Sequence, residues 1–301
     1  TVLLIKHLPM LVTHQQTIQE KVIHYFEGAG MDYGYWDPAF NMHFGYFRRG
    51  INPFSRAALL EQMNREVLRR LELHRCEEPL VLDLGCGLGA VSRSMALTEK
   101  RARFLGFTIT PWQVSFGNEL TKEEGLEDRV HLYESDFARL PLPGESADAV
   151  FAVESACYAR GADKRDLVEE LYRVLRPGGR FVLADGFRRH SRPLPRWLDK
   201  IYRRNMDCWA LQELADIDRL VAALHECGFR HIQVEDVSWR VAPSFAHIPF
   251  VTLRFLFDIW RKGQLRNLDR ERINNALAPA LGMIMGLSRR HFGYYLVSGK
   301  K

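Results

Sequence analysis

The sequence predicts an α/β protein: a seven-stranded, mostly parallel sheet with helices on both faces, preceded by a helical segment and interrupted by a helical cap before the last strand. Three observations point there. An apolar strand, Leu80 to Leu84, runs into a glycine turn at Gly85, Gly87 and Gly89. From that turn to about Phe187, apolar runs alternate with amphipathic ones, the pattern of parallel strands joined by crossover helices. More than fifty residues, Ser238 to His291, then separate the last two predicted strands, far more than a connection needs.

Residues 10 to 28 fit a helix, and Met31 to Gly50 is rich in glycine and aromatic residues. Ser55 to Leu73 is amphipathic through Leu60, Met63, Val67, Leu68 and Leu71. The second strand spans Arg103 to Thr110, and the third, Val130 to Ser135, alternates and ends in Asp136 and Phe137. Ala147 to Val153 is a near-continuous apolar run, as expected of a strand buried on both faces, and it ends at Glu154. A helix through Leu167, Val168, Leu171, Val174 and Leu175 is stopped by the turn Arg176 to Gly179, which feeds a strand from Phe181 to Ala184. Asp218 to Cys227 reads as a helix bounded by Gly228, followed by strands His231 to Val237 and Phe292 to Ser298. The chain divides into an N-terminal helical and aromatic segment (1–75), a ligand-binding core (76–238), a helical cap (239–291) and a closing strand (292–301).

Composition sets outer limits. At 301 residues, 47% hydrophobic and 26% charged, the chain is an ordinary globular protein with no disordered or repeated segment. Lys and Arg outnumber acids by 42 to 37, but the excess lies in scattered pairs such as Arg48-Arg49 and Arg203-Arg204, which argues against a nucleic-acid partner. Cys76, Cys86, Cys157, Cys208 and Cys227 form no C-x-x-C pair, so reduced thiols, a cytoplasmic setting and no metal site are expected. The apolar start, Thr1 to Lys6, is too short for a signal or a span. Phe245 to Trp260 and Ala276 to Leu287 are the cap helices; the first is broken by His247, Arg254 and Asp258, and the second is too short to cross a bilayer. Peripheral membrane contact and homo-oligomerisation, through a detached N-terminal helix, both stay open.

The glycine turn brings backbone against a ligand, because glycine takes positive φ and leaves room beside the main chain where the next helix begins. Gly85 to Ala90 also fits the relaxed dinucleotide fingerprint, but the ribose-gripping acid expected at the end of the second strand is replaced by Thr108.

With Asp83, Asp136, Glu154 and the Leu-Arg-Pro-Gly-Gly turn at 175–179 in this order, the chain resembles the Rossmann-like, class I S-adenosylmethionine methyltransferases. That resemblance implies an antiparallel last strand, S-adenosylmethionine as donor and S-adenosylhomocysteine as product. It places Gly85, Cys86, Gly87 and Gly89 at the methionine and ribose part, with Asp83 organising the loop. Thr108, Ile109 and Gln113 then lie by the ribose, Asp136 and Phe137 by the adenine, and Glu154 and Tyr25 by the sulfonium end. Asp32 to Trp36, Asn41 to Tyr46, Gly106 to Gln113 and Glu154 to Ala159 further resemble elements of the sterol, tocopherol and terpenoid C-methyltransferases. The likeness is weakest after Ser238.

That group implies methyl transfer to an alkene carbon of an apolar isoprenoid, terpenoid or sterol-like molecule, with rearrangement or cyclisation left open. Carbocation chemistry wants an aromatic wall, for which Tyr33, Tyr35, Trp36, Phe44, Tyr46 and Phe47 are the candidates, and a proton acceptor; Tyr158 and the cap residues Phe245, Phe250, Phe255, Phe257 and Trp260 offer further apolar lining for the substrate. Glu154 is the first candidate acceptor and His43 the second, with Tyr33 beside them or closing over the donor. Each has a plainer reading: aromatic clusters pack, a lone histidine is structural, and Glu154 only orients the donor. Basic cap residues Arg254, Arg261, Lys262 and Arg266 suit a diphosphate, an anionic membrane or plain solvent. The competing activities are O-, N- or aromatic C-methylation of a small phenol or amine, and a donor-binding module without catalysis.

Overall fold

Seven strands form one sheet in the order β3-β2-β1-β4-β5-β7-β6: β1 (Leu80–Leu84), β2 (Arg103–Thr108), β3 (Val130–Glu134), β4 (Ala147–Val153), β5 (Leu175–Arg188), β6 (Arg230–Asp236) and β7 (Phe292–Lys300). The computed structural model describes residues 8–264 and 268–301. The N-terminal run Thr1 to Lys6 and the cap residue Arg266 therefore lie outside the described residues. Strands β1 to β5 pair in parallel, and β7 runs antiparallel between β5 and β6.

Eleven helices are described: α1 (Leu8–Ala29), α2 (Tyr33–Trp36), α3 (Arg56–Leu71), α4 (Ala90–Thr98), α5 (Pro111–Glu123), α6 (Arg165–Val174), α7 (Arg196–Cys208), α8 (Ile217–Glu226), α9 (Ser238–Phe245), α10 (Ile248–Arg261) and α11 (Arg270–Leu287). Their starts are written locally. The Ser55 hydroxyl accepts from Ala58 N, Asp216 from Asp218 N and Arg219 N, and Asp269 from Arg272 N, each occupying donors that a helix start leaves free. Pro111 opens α5, where its missing N–H is no loss.

One face of the sheet packs on α3, α4 and α5 through Met63, Val67, Val91, Met95, Val114 and Phe151, and the other on α6 and α8 through Leu167, Leu171, Leu220 and Leu224. Phe104, Phe151 and Phe181 are fully buried, each worth about 1.5–3 kcal/mol of apolar transfer.

Three expectations need correction. Arg176 to Gly179 does not separate helix from strand: β5 begins at Leu175, opposite Ala147, and the turn is a bulge that brings Arg180 opposite Ala149. The second strand stops at Thr108, since Thr110 already caps α5. Helix α7 was not anticipated; Leu198, Tyr202 and Met206 form its buried stripe against Met285 and Phe292.

The elements before the sheet and those inserted before β7 meet over its carboxyl ends. Arg272 of α11 grips Asp32 with two hydrogen bonds of 2.8 Å, and its guanidinium also lies over the Phe255 ring. Both charges are mostly buried. Arg272→Met should cost about 1.5–3 kcal/mol, because it leaves Asp32 without its partner. Urea titration, together with faster limited proteolysis between α10 and α11, would register the loss.

Candidate active site

A cavity of about 650 Å³ lies over the carboxyl ends of β1, β2, β4 and β5, where an open parallel sheet presents its loops. Its floor is the turn after β1. The N–H groups of Gly85 and Cys86 both donate to Phe107 O, at 2.8 and 3.0 Å, which curls the chain back over β2. Gly85 and Gly87 have φ of +74° and +54°. A Cβ on Gly85 would fall 2.4 Å from Ser155 Cβ, while one on Gly87 would meet the flexible Met42 Sδ at 3.3 Å. Beneath the turn, Asp83 accepts from Ser92 Oγ at 2.7 Å, and burial pushes its carboxyl up to about 7.

Thr108, Ile109 and Gln113 line the next part of the wall. Thr108 Oγ1 donates to Gln113 Oε1 at 2.7 Å, and Gln113 Nε2 is buried without a partner. Asp136 and Phe137 follow; Asp136 accepts from Ala138 N at 2.8 Å and from Gln19 Nε2 of α1 at 2.7 Å.

The far end is aromatic. Phe44 stacks on Phe245 with centroids 3.9 Å apart, Trp36 meets Phe44 edge-on, Tyr35 meets Phe255 edge-on, and Phe26 leans on Tyr158. Two carboxylates face this region. Glu154 Oε1 accepts from Phe44 N at 2.6 Å and Tyr294 OH at 2.8 Å, and Asp185 accepts from the N–H groups of Cys157 and Gly186. Neither makes an ion pair among the described residues. Desolvation, opposed by the Phe44 N–H and reinforced by Asp185, pushes Glu154 up to about 8; desolvation raises Asp185 to about 6.

A methyltransferase-domain family model matches residues 82–183. The chain is 30% identical over 208 residues to 27-O-demethylrifamycin SV methyltransferase of Amycolatopsis mediterranei, covering 68% of this chain and 72% of that protein. The chain belongs to the class I S-adenosylmethionine-dependent methyltransferases. It is also 28% identical to a probable tocopherol O-methyltransferase of Oryza sativa, over 73% of this chain and 62% of the relative. The aligned stretch spans about half the length of several other curated relatives. Geranyl diphosphate C-methyltransferase of Streptomyces coelicolor shares the fold at a TM-score of 0.67 and 19% identity, covering 94% of this chain and 97% of that one.

The methyltransferase (EC 2.1.1) takes S-adenosylmethionine as donor and releases S-adenosylhomocysteine, and its cavity fits such a molecule on three observations. The turn at Gly85 and Gly87 leaves backbone open to the cavity, Gln113 Nε2 is an unspent donor, and Asp136 offers a carboxylate at the end of β3.

Several sequence-predicted residues sit elsewhere. Gly89 is absent from the cavity wall; it caps α4 and packs against Leu132. Tyr25 is buried behind the wall, its hydroxyl donating to Asn275 Oδ1 at 2.9 Å and 3.1 Å from Tyr33 OH. With the Tyr25 proton given to Asn275, Tyr33 donates to Tyr25 and turns its oxygen lone pairs elsewhere; burial pushes its phenol up to about 12. Tyr46 is core, packed under the wall with Met63 and Val67. Phe250 and Trp260 are exposed on the outer side of α10, because the inner positions of that helix are Ile248, Val251, Thr252 and Phe255. His43 does line the cavity, but its Nδ1 lies 3.0 Å from Phe44 O and its Nε2 3.2 Å from Asn41 Oδ1, one of which takes its N–H, and burial lowers its basicity. This ring fixes the Asn41–Phe44 bend and is poorly placed to accept a proton.

Sequence reasoning missed Asp185, Tyr294, Gln19 and Asn275. The first was findable, since it ends the apolar run Phe181 to Ala184 as Glu154 ends the run before it. It also missed Lys164, which is buried with Nζ donating to Cys157 O, Ala159 O and Glu213 O, and so pins the loop that follows Glu154.

Two predictions follow from this geometry. Gly85→Ala should abolish donor binding by calorimetry, since its Cβ collides with Ser155 and its φ is unfavourable for alanine, whereas Gly87→Ala should only weaken it. The carboxyls of Asp83, Glu154 and Asp185 hold protons more tightly folded than unfolded. Their contribution to the stability of the ligand-free protein is therefore greatest below the unfolded carboxyl range, and that of Glu154 falls as pH rises from 4.5 through about 8. Glu154→Gln should flatten the upper part of that decline in urea titrations at about pH 5 and pH 8; an unchanged slope would dissociate Glu154 from it.

Proposed function

We propose that the methyltransferase acts on an alkene carbon of an uncharged, apolar small molecule of isoprenoid, terpenoid or sterol-like chemistry. The observation that carries this reading is the pair Glu154 and Asp185, two carboxyls without an ion-pair partner among the described residues, facing an aromatic wall. Attack by one alkene carbon on the methyl group leaves positive charge on the neighbouring carbon, and such a setting favours it. Each aromatic face contributes roughly 0.5–2 kcal/mol to a desolvated cation.

The bound donor supplies an activated, electrophilic methyl group. The chain's own residues position, exclude water and move a proton. Holding both reactants in line inside the cavity accounts for roughly 7–11 kcal/mol of barrier lowering. Both hydrogen bonds to Glu154 fall on Oε1, so Oε2 is the atom to accept the proton lost from the methylated carbon.

Charge on the wall narrows the acceptor. Asp32 is held by Arg272 and Asp166 lies beside Arg160, whereas Asp83, Asp136, Glu154 and Asp185 have no ion-pair partner among the described residues and Arg289 is the other arginine of the lining, which disfavours a diphosphate. Arg254, Arg261 and Lys262 are exposed and take no part in the lining, so the diphosphate role considered for them is withdrawn. The second reading is O-methylation of a small phenol, favoured by the same Glu154: a carboxyl near 8 is matched to taking a hydroxyl proton at neutral pH.

Incubation with methyl-labelled donor and a panel of neutral prenyl alkenes, sterols, prenylated aromatics, phenols and amines tests the choice, with the labelled atom located by NMR. Label only on oxygen or nitrogen overturns the alkene reading. With an alkene acceptor, Glu154→Gln should lower kcat by about 10²–10⁴ with KM nearly unchanged. Phe44→Leu should likewise act on kcat rather than KM.

A further inference from the structure

Helix α10 is apolar on two opposite sides. Its inner side, Ile248, Val251, Thr252 and Phe255, lines the cavity. Its outer side carries Phe250, Leu253, Phe257 and Trp260, spaced three or four residues apart, and these keep 74%, 65%, 57% and 61% of their surface exposed. A helix that is apolar all round is normally buried or in contact with lipid. The stripe also extends beyond the helix. Phe54, 87% exposed, follows Pro53, whose carbonyl meets His247 Nε2 at 2.9 Å at the start of α10.

The charge beside the stripe is one-sided. Arg254 and Arg261 flank it along one edge and Lys262 follows the last turn, all exposed, while Asp258, the only acid of the helix, is half-buried. Aromatic and leucine side chains next to exposed basic ones are the composition of a helix lying in the interface of an anionic bilayer. A second copy fits less well: a two-fold contact through this stripe would set Arg254, Arg261 and Lys262 of both copies together, with no exposed acid of α10 to meet them.

We propose that the outer face of α10 docks on an anionic membrane, so that the apolar acceptor passes from lipid into the cavity that the inner face of the same helix lines. The uptake step rests on the apolar-acceptor reading; docking is measured without turnover and stands or falls separately from the acceptor's identity.

Flotation of the whole chain with phosphatidylcholine vesicles, with and without phosphatidylglycerol, tests it. The chain should float with the phosphatidylglycerol vesicles and much less with phosphatidylcholine alone. Leu253→Ser/Phe257→Ser, on the outer face only, should bind about tenfold or more weakly while keeping its turnover on a detergent-dispersed acceptor and its thermal transition. Arg254→Glu/Arg261→Glu should lose the preference for phosphatidylglycerol. Failure to float with either vesicle, equal flotation of the Leu253→Ser/Phe257→Ser variant, or a native dimer in light scattering that this variant converts to monomer would each overturn docking.

Discussion

The Glu154 carboxylate ties together three parts of the chain that meet nowhere else in sequence. It leaves β4 with φ of +50°, a conformation that costs a non-glycine residue about 1–3 kcal/mol, and from there its Oε1 reaches Phe44 N on the N-terminal segment and Tyr294 OH on β7. The Phe44 bond draws the Asn41–Phe47 segment across the tips of the sheet. Further bonds, Gly45 N to Ser244 Oγ and Phe47 N to Arg240 O, then clip that segment to α9. The strain and the raised carboxyl are local costs offset by closing the reaction chamber from both ends of the chain.

That chamber is assembled from parts with different origins. On the proposed reading the sheet supplies the donor end, as parallel sheets do, through loops at its carboxyl edge. The acceptor end belongs to the N-terminal segment and to the helices inserted before β7, and a polar chain joins them: Asn275 to Tyr25 to Tyr33, beside the Asp32–Arg272 pair. Both reach the strip Asp32–Trp36 that carries Tyr33, Tyr35 and Trp36. Displacement of α11 would therefore shift the aromatic wall with it.

The fold was legible because buried parallel strands write themselves as apolar runs, and because the glycine turn has one geometric use after a strand. The cavity-lining positions Asp83, Thr108, Asp136 and Glu154 were legible for the same reason: they lie at strand ends, and a strand end is a place in the topology. The acceptor side was not. Period shows that α10 has apolar stripes but not which one faces inward, so the sequence offers Phe250, Phe255, Phe257 and Trp260 alike as lining, and of these only Phe255 reaches the cavity. Tyr46 sits in an irregular segment that has no period at all, where only the bond Tyr46 N to Leu59 O shows that the chain has turned into the core.

Electrostatics link the two halves of the site. Glu154 and Asp185 are raised chiefly because burial penalises their charge, and Asp185 pushes Glu154 up further, so the ligand-free cavity favours protonated carboxyls. Positive charge brought into the same space reverses that penalty; on the proposed alkene reading, one arrangement would serve both the sulfonium of the donor and the charge left beside the methylated carbon. Lys164, the ammonium that Asp185 senses, spends its protons on Cys157 O, Ala159 O and Glu213 O rather than on either carboxyl, so beside the aromatic wall both stay without an ion-pair partner among the described residues.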